Sequence, residues 1–295
     1  MRPFFENNVL QQQPFKPMII VVDTTKAGSA SNTFVLPIIK DTTETVKIYW
    51  GDGTNSTGVN GNNTHVYAAS GIYTVKIESR LFGGIYFNNL GDKAKITKIA
   101  NYGQGVSRLN IGSFYGCSSL LSIDIGNIVS NGADASNQYR GCTALTTVPL
   151  FDLSSVTNAS AMFYQCTALT TVPLFDLSKV TNASYMFYQC SKLTTVPLFD
   201  LSSVIDATNM FRNCTSLTTI PLLDLSSCTN ASNMFLGVTL TTQSYSDFLI
   251  NLATLPLQSG VSFHGGNSKY NPTAAIARAY LISNFGWTII DGGAA

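Results

Sequence analysis

The chain has 295 residues, 45% of them apolar, which is ample for a core, but only 11% charged and with a net charge of +1. No Lys/Arg cluster offers the phosphate-neutralising surface of a nucleic-acid binder or a polybasic membrane anchor, and no run approaches the ~20 apolar residues of a membrane span. Thr, Ser, Asn and Gly stand in for charge, a surface suited to side-by-side packing in an assembly, where a buried charge is costly.

Residues 1–17 (MRPFFENNVLQQQPFKP) are polar and irregular, with Pro3, Pro14 and Pro17. Two readings stand: a solvated tail, or an arm that docks on a partner through Phe4, Phe5 and Phe15. The segment lacks a charged start followed by an apolar run, so export by the Sec route is not expected.

From Met18 the pattern predicts short strands over Met18–Asp23, Thr33–Ile39, Val46–Trp50, Gly71–Glu78 and Gly84–Phe87. WGDGTNSTG and NGNN, dense in turn formers, read as the loops between them. Together these predict an all-β sandwich over 18–91. The words Ile48-Tyr49-Trp50-Gly51-Asp52-Gly53-Thr54, His65-Val66-Tyr67 and Gly71-Ile72-Tyr73-Thr74-Val75 resemble the PKD-like (polycystic-kidney-disease-type) domain. That resemblance implies structural roles: Asp52 caps the turn, His65 and Tyr67 lie on the returning strand, and Trp50 is core.

Between Cys142 and Val238 the chain repeats itself four times with a period of 24 residues: CTALTTVPLFDLSSVTNASAMFYQ, CTALTTVPLFDLSKVTNASYMFYQ, CSKLTTVPLFDLSSVIDATNMFRN and CTSLTTIPLLDLSSCTNASNMFLG. Cys117 opens a degenerate copy 25 residues before Cys142, and Ile96–Ile99, Leu109–Ile111 and Leu120–Ile125 keep the same phase in a first, irregular coil. Fixed-period self-similarity predicts a solenoid whose coils bury their apolar faces only against each other. Leu145, Val148, Leu150, Leu153 and Val156 are the expected inward set, with Met162 and Phe163 closing the coil. TTVPL is the expected strand, ended by Pro149, and Asn158–Ser160 starts a turn. The repeat resembles the BspA-type bacterial-surface leucine-rich repeat, whose coils read L-x-x-(I/V)-P…D-(L/x)-S-x-V-T-N-x-x-x-M-F-x-x-C.

Five of the six cysteines fall in one column. Side chains stacked in register run parallel and rarely reach disulfide torsions, so they are expected to be buried free thiols, with no His or CxxC partner to make a metal site. After Val238 the period breaks. Tyr245–Leu255 and Pro272–Ser283 have helical spacing, and Val261–Phe263 and Trp287–Ile290 read as strands. VSFHGGNSKYN and FGWTIIDGG resemble the terminal segment that follows such repeats in phage-encoded and surface proteins, and imply a cap over the last coil's open edge.

The chemistry-bearing residues are few. Asp152, Asp176, Asp200 and Asp224 form a column, read either as caps of the Leu-Ser-Ser turns or as a Ca2+-binding edge. His65 and His264 are the only histidines, and no nucleophile, zinc or phosphate-loop motif accompanies them. What faces outward or varies between copies remains: Thr147, Thr171, Thr195 and Thr219, Tyr164 and Tyr188, and Lys179, Lys192 and Arg212. A hydroxyl- and aromatic-lined face fits a glycan or a protein, and is also what a solvated repeat face looks like.

The fold expected is mainly β: an N-terminal PKD-like β-sandwich (18–91) behind the 1–17 arm, a leucine-rich-repeat-type solenoid with 24-residue coils (92–238), and a small α/β C-terminal cap (239–295). The function expected is non-enzymatic: a bacteriophage virion component (head fibre, tail fibre or decoration protein) held to other virion proteins by its N-terminal region. Its repeat rod would meet a host-surface glycan or protein. The rival expectation is a bacterial cell-surface adhesin. No metal, cofactor, nucleic acid or membrane insertion is expected; a homo-oligomer is.

Overall fold

In a computed structural model of the chain, the described residues are 16–40, 43, 45–79, 83–102, 113–124 and 133–295. Phe4, Phe5 and Phe15 of the expected arm, and the expected strand Leu109–Ile111, lie outside them. The protein is mainly β. Its first part comprises β1 (Met18–Asp23), β2 (Thr33–Ile39), β3 (Val46–Tyr49), β4 (Asn55–Gly58), β5 (Gly61–Val66), β6 (Ile72–Glu78), β7 (Gly84–Ile85), β8 (Ile96–Tyr102) and β9 (Ser122–Ile123). One sheet has the order β4-β3-β6-β1-β8-β9 and the other β5-β2-β7. Period-two alternation sends Met18, Ile20 and Val22 of β1, Phe34, Leu36 and Ile38 of β2, and Val46 and Ile48 of β3 into one shared core.

Strand pairing extends into stretches read as loops, 55–58 and 61–63, the second opening the strand on which His65 was expected. Asn55–Gly58 pairs with β3 and Gly61–Val66 pairs with β2. Both are sheet edges. Most of their side chains are exposed, so backbone pairing needs no apolar alternation there.

A buried ion pair ties the β1–β2 loop to the 3-10 turn Lys93–Lys95. Asp92 and Lys95 have essentially no solvent contact and stand 3.6 Å apart. Asp92 accepts from the Ser29 amide and hydroxyl (2.6 and 2.7 Å) and the Val35 amide (2.7 Å). Lys95 Nζ donates to the carbonyls of Ser29, Ala30 and Thr33 at 3.1, 3.0 and 2.7 Å. Buried charge is tolerable only when it is paired and its remaining hydrogen-bonding capacity is met, as it is here.

Past β8 the chain advances by rungs. In the arc Asn158–Gln165, every second amide donates forward one repeat. Ala159, Ala161, Phe163 and Gln165 reach the carbonyls of Asn182, Ser184, Met186 and Tyr188 at 2.9, 2.9, 2.9 and 2.8 Å. The amides between them close tight turns within their own repeat: Met162 onto Ala159, Tyr164 onto Ala161 and Cys166 onto Phe163. The pattern begins with Phe87 and Asn89 donating to Ser113 and Tyr115, and it ends with Phe235 donating to His264. Parallel bridges join Asp134, Asn158, Asn182, Asp206 and Asn230 in series. A second ladder runs the other way, with the amides of Thr181, Ile205 and Thr229 donating to the carbonyls of Thr157, Thr181 and Ile205.

Two residues of each arc sit in the left-handed region. One column is Asn137, Ala161, Tyr185, Asn209 and Asn233; the other includes Gly141, Gln165, Gln189, Asn213 and Gly237. Asn and Gly suit these positions; Ala161, Gln165, Tyr185 and Gln189 do not, and the two bonding directions hold them there.

Inside the repeats, rings stack on rings. Phe114, Tyr139, Phe163, Phe187, Phe211 and Phe235 form one file with centroids 5.5 to 5.9 Å apart. Phe151, Phe175 and Phe199 form a second file against it. The expected inward residue Leu150 is therefore wrong, and its neighbour Phe151 fills that place. Leu150, Leu174, Leu198 and Leu222 are 64, 58, 60 and 49% exposed. TTVPL is also not a strand. Inward residues at 145, 148 and 151 are spaced by three, the period of polyproline II, which Pro149 favours.

The C-terminal part consists of α1 (Thr242–Leu252), β10 (Ser262–His264), α2 (Pro272–Phe285) and β11 (Thr288–Ile290), with β10 and β11 parallel. Helix α1 starts earlier than the apolar spacing suggested because the Thr241 side chain caps it, accepting from the Ser244 amide. Asn271 caps α2, Pro272 opens it, and left-handed Gly286 ends it. β10 occupies the rung after the last repeat: Ala231 donates to the Ser262 carbonyl, and the Phe263 ring packs against Phe235. Asp291 holds the end of the chain, accepting from Tyr245 Oη (2.9 Å) and Arg278 Nε (2.8 Å).

Gln165→Gly should relieve left-handed strain and raise the unfolding free energy by about 0.5–1 kcal/mol, read from urea denaturation. A loss of stability instead would show that the hydrogen bond from Gln165 Nε2 to Gln189 Oε1 (2.8 Å) outweighs the backbone strain.

Candidate functional site

The polar constellations resolve first into structure. In the His65 cluster, Asp52 Oδ1 accepts from the Thr54 amide (3.0 Å) and hydroxyl (2.6 Å), while Oδ2 meets His65 Nε2 at 2.7 Å. The imidazole lies flat on Trp50 with centroids 4.8 Å apart, and edge-on to Tyr67. Tyr67 Oη in turn donates to the Trp50 carbonyl. Thr54 Oγ1 and Asp52 face the same ring nitrogen, so the group cannot relay a proton from a hydroxyl through the ring to a carboxylate. It closes a turn: Asp52 caps it, Trp50 is core and His65 lies on β5, as expected, whereas Tyr67 lies just past the end of that strand. Burial alone would raise the Asp52 carboxyl, but the bonds from Thr54 and His65 outweigh it and hold the group down at about 2.

The Asp column behaves as turn caps. Oδ1 of Asp152, Asp176 and Asp200 each accepts the amide two residues on at 3.0–3.1 Å and that serine's hydroxyl at 2.6 Å; Asp224 accepts the Ser226 amide at 2.8 Å. These serine bonds lower the Asp152 and Asp176 carboxyls. Among the described residues, no group of three or more His, Cys, Asp or Glu side chains is placed to hold a metal ion.

All six cysteines are buried free thiols. Sγ of Cys142, Cys166, Cys190 and Cys214 donates to the carbonyls of Phe114, Tyr139, Phe163 and Phe187 at 3.0–3.3 Å. Burial raises their pKa, to about 12 for Cys214, so at neutral pH they stay protonated and unreactive.

Two outward faces remain. On the first, Thr147, Thr171, Thr195 and Thr219 are exposed beside the exposed leucine column. The preceding threonine of each pair is structural where its hydroxyl joins the ladder: Oγ1 of Thr170 and Thr194 donates to the carbonyls of Thr146 and Thr170. This Thr–Leu face ends in a cleft of about 700 Å3 against α1, floored by Ile220, Leu222 and Ile250 and rimmed by Thr219, Thr241 and Asp247.

The second face carries Tyr164 and Tyr188. Their rings stack 4.6 Å apart and 8° from parallel. Arg140 lies over Tyr164 at 4.2 Å and over Tyr115 at 5.1 Å, and Arg212 lies over Tyr188 at 5.7 Å. Tyr115, Arg140, Tyr164, Tyr188 and Arg212 thus make one file, a single side chain per rung. Nη1 of Arg140 and of Arg212 donates to Oδ1 of Asn137 and Asn209. The structure separates this file from the threonine column by the buried corner Cys166–Leu169.

Residues 133–248 match a family model described as "Mycoplasma protein of unknown function, DUF285". The match covers the parallel bridges from Asp134 to Asn230 and most of α1. No curated protein and no solved structure matches the chain. Among the described residues no helix is long and apolar enough to cross a membrane.

Sequence reading missed Tyr115 because 25 residues, not 24, separate it from Arg140, and missed Arg140 because it precedes Cys142, where the regular copies begin, although it stands 24 residues before Tyr164. The available signal was the variation Tyr, Arg, Tyr, Tyr, Arg at one position of an otherwise constant repeat. It also missed the leucines, whose outward turn depends on a three-residue spacing.

Because the Asp52 pKa is depressed, its stabilisation is complete above the unfolded-state value near 4 and fades as pH falls toward about 2. Thermal melts between pH 2 and 5 should show a decline in this window that is smaller in Asp52→Asn. Identical slopes in both proteins would contradict the assignment.

Proposed function

We propose that the protein is a non-enzymatic structural and adhesive component of a bacteriophage virion: a head fibre, tail fibre or decoration protein. In this reading residues 92–238 are a leucine-rich-repeat-type solenoid of 24-residue coils, residues 18–91 a PKD-like sandwich at its base, and residues 239–295 its cap. The N-terminal region joins other virion proteins, as a homo-oligomer, and the solenoid presents its outward columns to a host-surface glycan or protein.

The observation that carries the reading is the division of labour within each repeat. The thiol, Asp, Asn, Phe and first-threonine columns are engaged in stacking, which leaves uncharged threonines and leucines on one face and the tyrosine–arginine file on another. Side chains arranged to repeat along a line, with polar chemistry held in turns, suit a rod that displays a surface better than a centre that transforms a substrate. The Asp52–His65–Thr54 geometry supports the same view.

The second reading, a bacterial cell-surface adhesin binding host matrix or glycans, draws support from the matched family, whose description names a bacterium. Deleting residues 1–17 and measuring incorporation into phage particles separates the two. A particle component should lose incorporation by an order of magnitude or more while the truncated chain keeps its melting temperature. Unchanged incorporation would refute anchoring by this segment, and encoding beside secretion genes rather than capsid or tail genes would favour the adhesin.

A further inference from the structure

We infer that the tyrosine–arginine file is a binding strip for an acidic polysaccharide, a polymer bearing carboxylates among hydroxyls. This deepens the recognition role proposed above and rests on it. The first ground is charge. Lys76, Lys98 and Arg278 have carboxylate partners. Among the described residues neither Arg140 nor Arg212 forms an ion pair. On a chain with only 11% charged residues, two unmatched guanidiniums in one file are a concentration of positive charge. Lys93 adds a third cation at the Tyr115 end. Its stem packs over Gly116, where any side chain would collide with it.

The second ground is pre-organisation. Each guanidinium is held by a tyrosine face and by an asparagine oxygen three residues before it. Little rotamer freedom is therefore left to lose on binding; Arg212 Nε is buried, so the Nη edge is the part of its planar fork that meets a carboxylate. Arg140 and Arg212 are three rungs apart, roughly 14 Å at the usual strand spacing, with Tyr164 and Tyr188 between them. An anionic group bound at one guanidinium thus lies along the file from the next.

The third ground is what the tyrosines present. Tyr164 and Tyr188 stack on each other and on the guanidiniums, so their ring faces are occupied inside the file. Their hydroxyls and edges are what a ligand meets, with the Gln165–Gln189 amide pair alongside. Nucleobases bind single-stranded sites by stacking on free aromatic faces, and Tyr164 and Tyr188 offer little such face; the exposed Tyr185 ring, tilted 42° and 49° to them, stands beside the strip. Hydroxyls and carboxylates, which bond to edges and forks, fit the strip.

The test uses the full chain, immobilised, against three probes: a polyuronate oligomer, neutral dextran and oligo(dT). Polyuronate should bind, with affinity falling as salt rises. Arg140→Gln/Arg212→Gln should weaken that binding by about tenfold or more, while Arg140→Lys/Arg212→Lys, which keeps the charge but loses the fork, should retain part of it. Melting temperatures establish that the variants fold, and Thr171→Ala/Thr195→Ala should leave polyuronate binding intact. No polyuronate binding, binding untouched by the Gln pair, or preference for oligo(dT) overturns the inference. Dextran binding without polyuronate binding also overturns it, yet leaves a glycan-recognising rod standing.

Discussion

The alternation of amide directions within each arc is the constraint on which the repeat region depends. One amide reaches forward to the next repeat and its neighbour folds back three residues, so the backbone of residues 158–165 is bonded without forming a strand or a helix. Two left-handed residues per arc are the geometric cost of this scheme. It fixes the phase of everything else: the ring files stack because the arcs stack, and the thiols meet carbonyls about one repeat earlier for the same reason. Buried backbone groups must find partners, and here most of those partners lie 23 to 26 residues away, which makes each repeat dependent on its neighbours.

Both ends of the ladder are met by structure of a different kind. At the start, Phe87 and Asn89 supply the first forward bonds, and β8 joins the rungs to the six-stranded sheet through β1 and β9. The buried Asp92–Lys95 pair sits at this junction, holding the β1–β2 loop against the turn that precedes β8. At the far end, β10 receives two of the four forward bonds that another repeat would take, from Ala231 and Phe235, and the Phe263 ring, tilted to Phe235, ends the parallel stacking.

Much of this was legible in the sequence because periodicity needs no chemistry to be seen. The 24-residue spacing placed the thiol, Asp and Asn columns correctly, and β1 and β2 fell on their expected residues. The failures have one physical source each. Leu150 was assigned inward on strand logic, whereas a segment built around Pro149 turns its side chains every third residue. Asn55–Gly58 and the start of Gly61–Val66 were read as loops because edge strands do not advertise themselves by apolar alternation. Arg140 went unnoticed because it lies two residues before Cys142, outside the four regular copies, though in 24-residue register with Tyr164. A contact between a guanidinium and a ring on the neighbouring rung has no local signature in either stretch.

The junction with β10 has a consequence for the size of the molecule. What β10 meets on the last repeat, Ala231 and Phe235, recurs as Ala159 and Phe163, Ala183 and Phe187, and Ala207 and Phe211. The terminus therefore recognises a feature common to every copy. Removing or adding 24 residues leaves the same chemistry at the boundary and alters only the count. The number of repeats is in this sense a free variable, one that recombination between near-identical stretches of the coding sequence can change in whole steps.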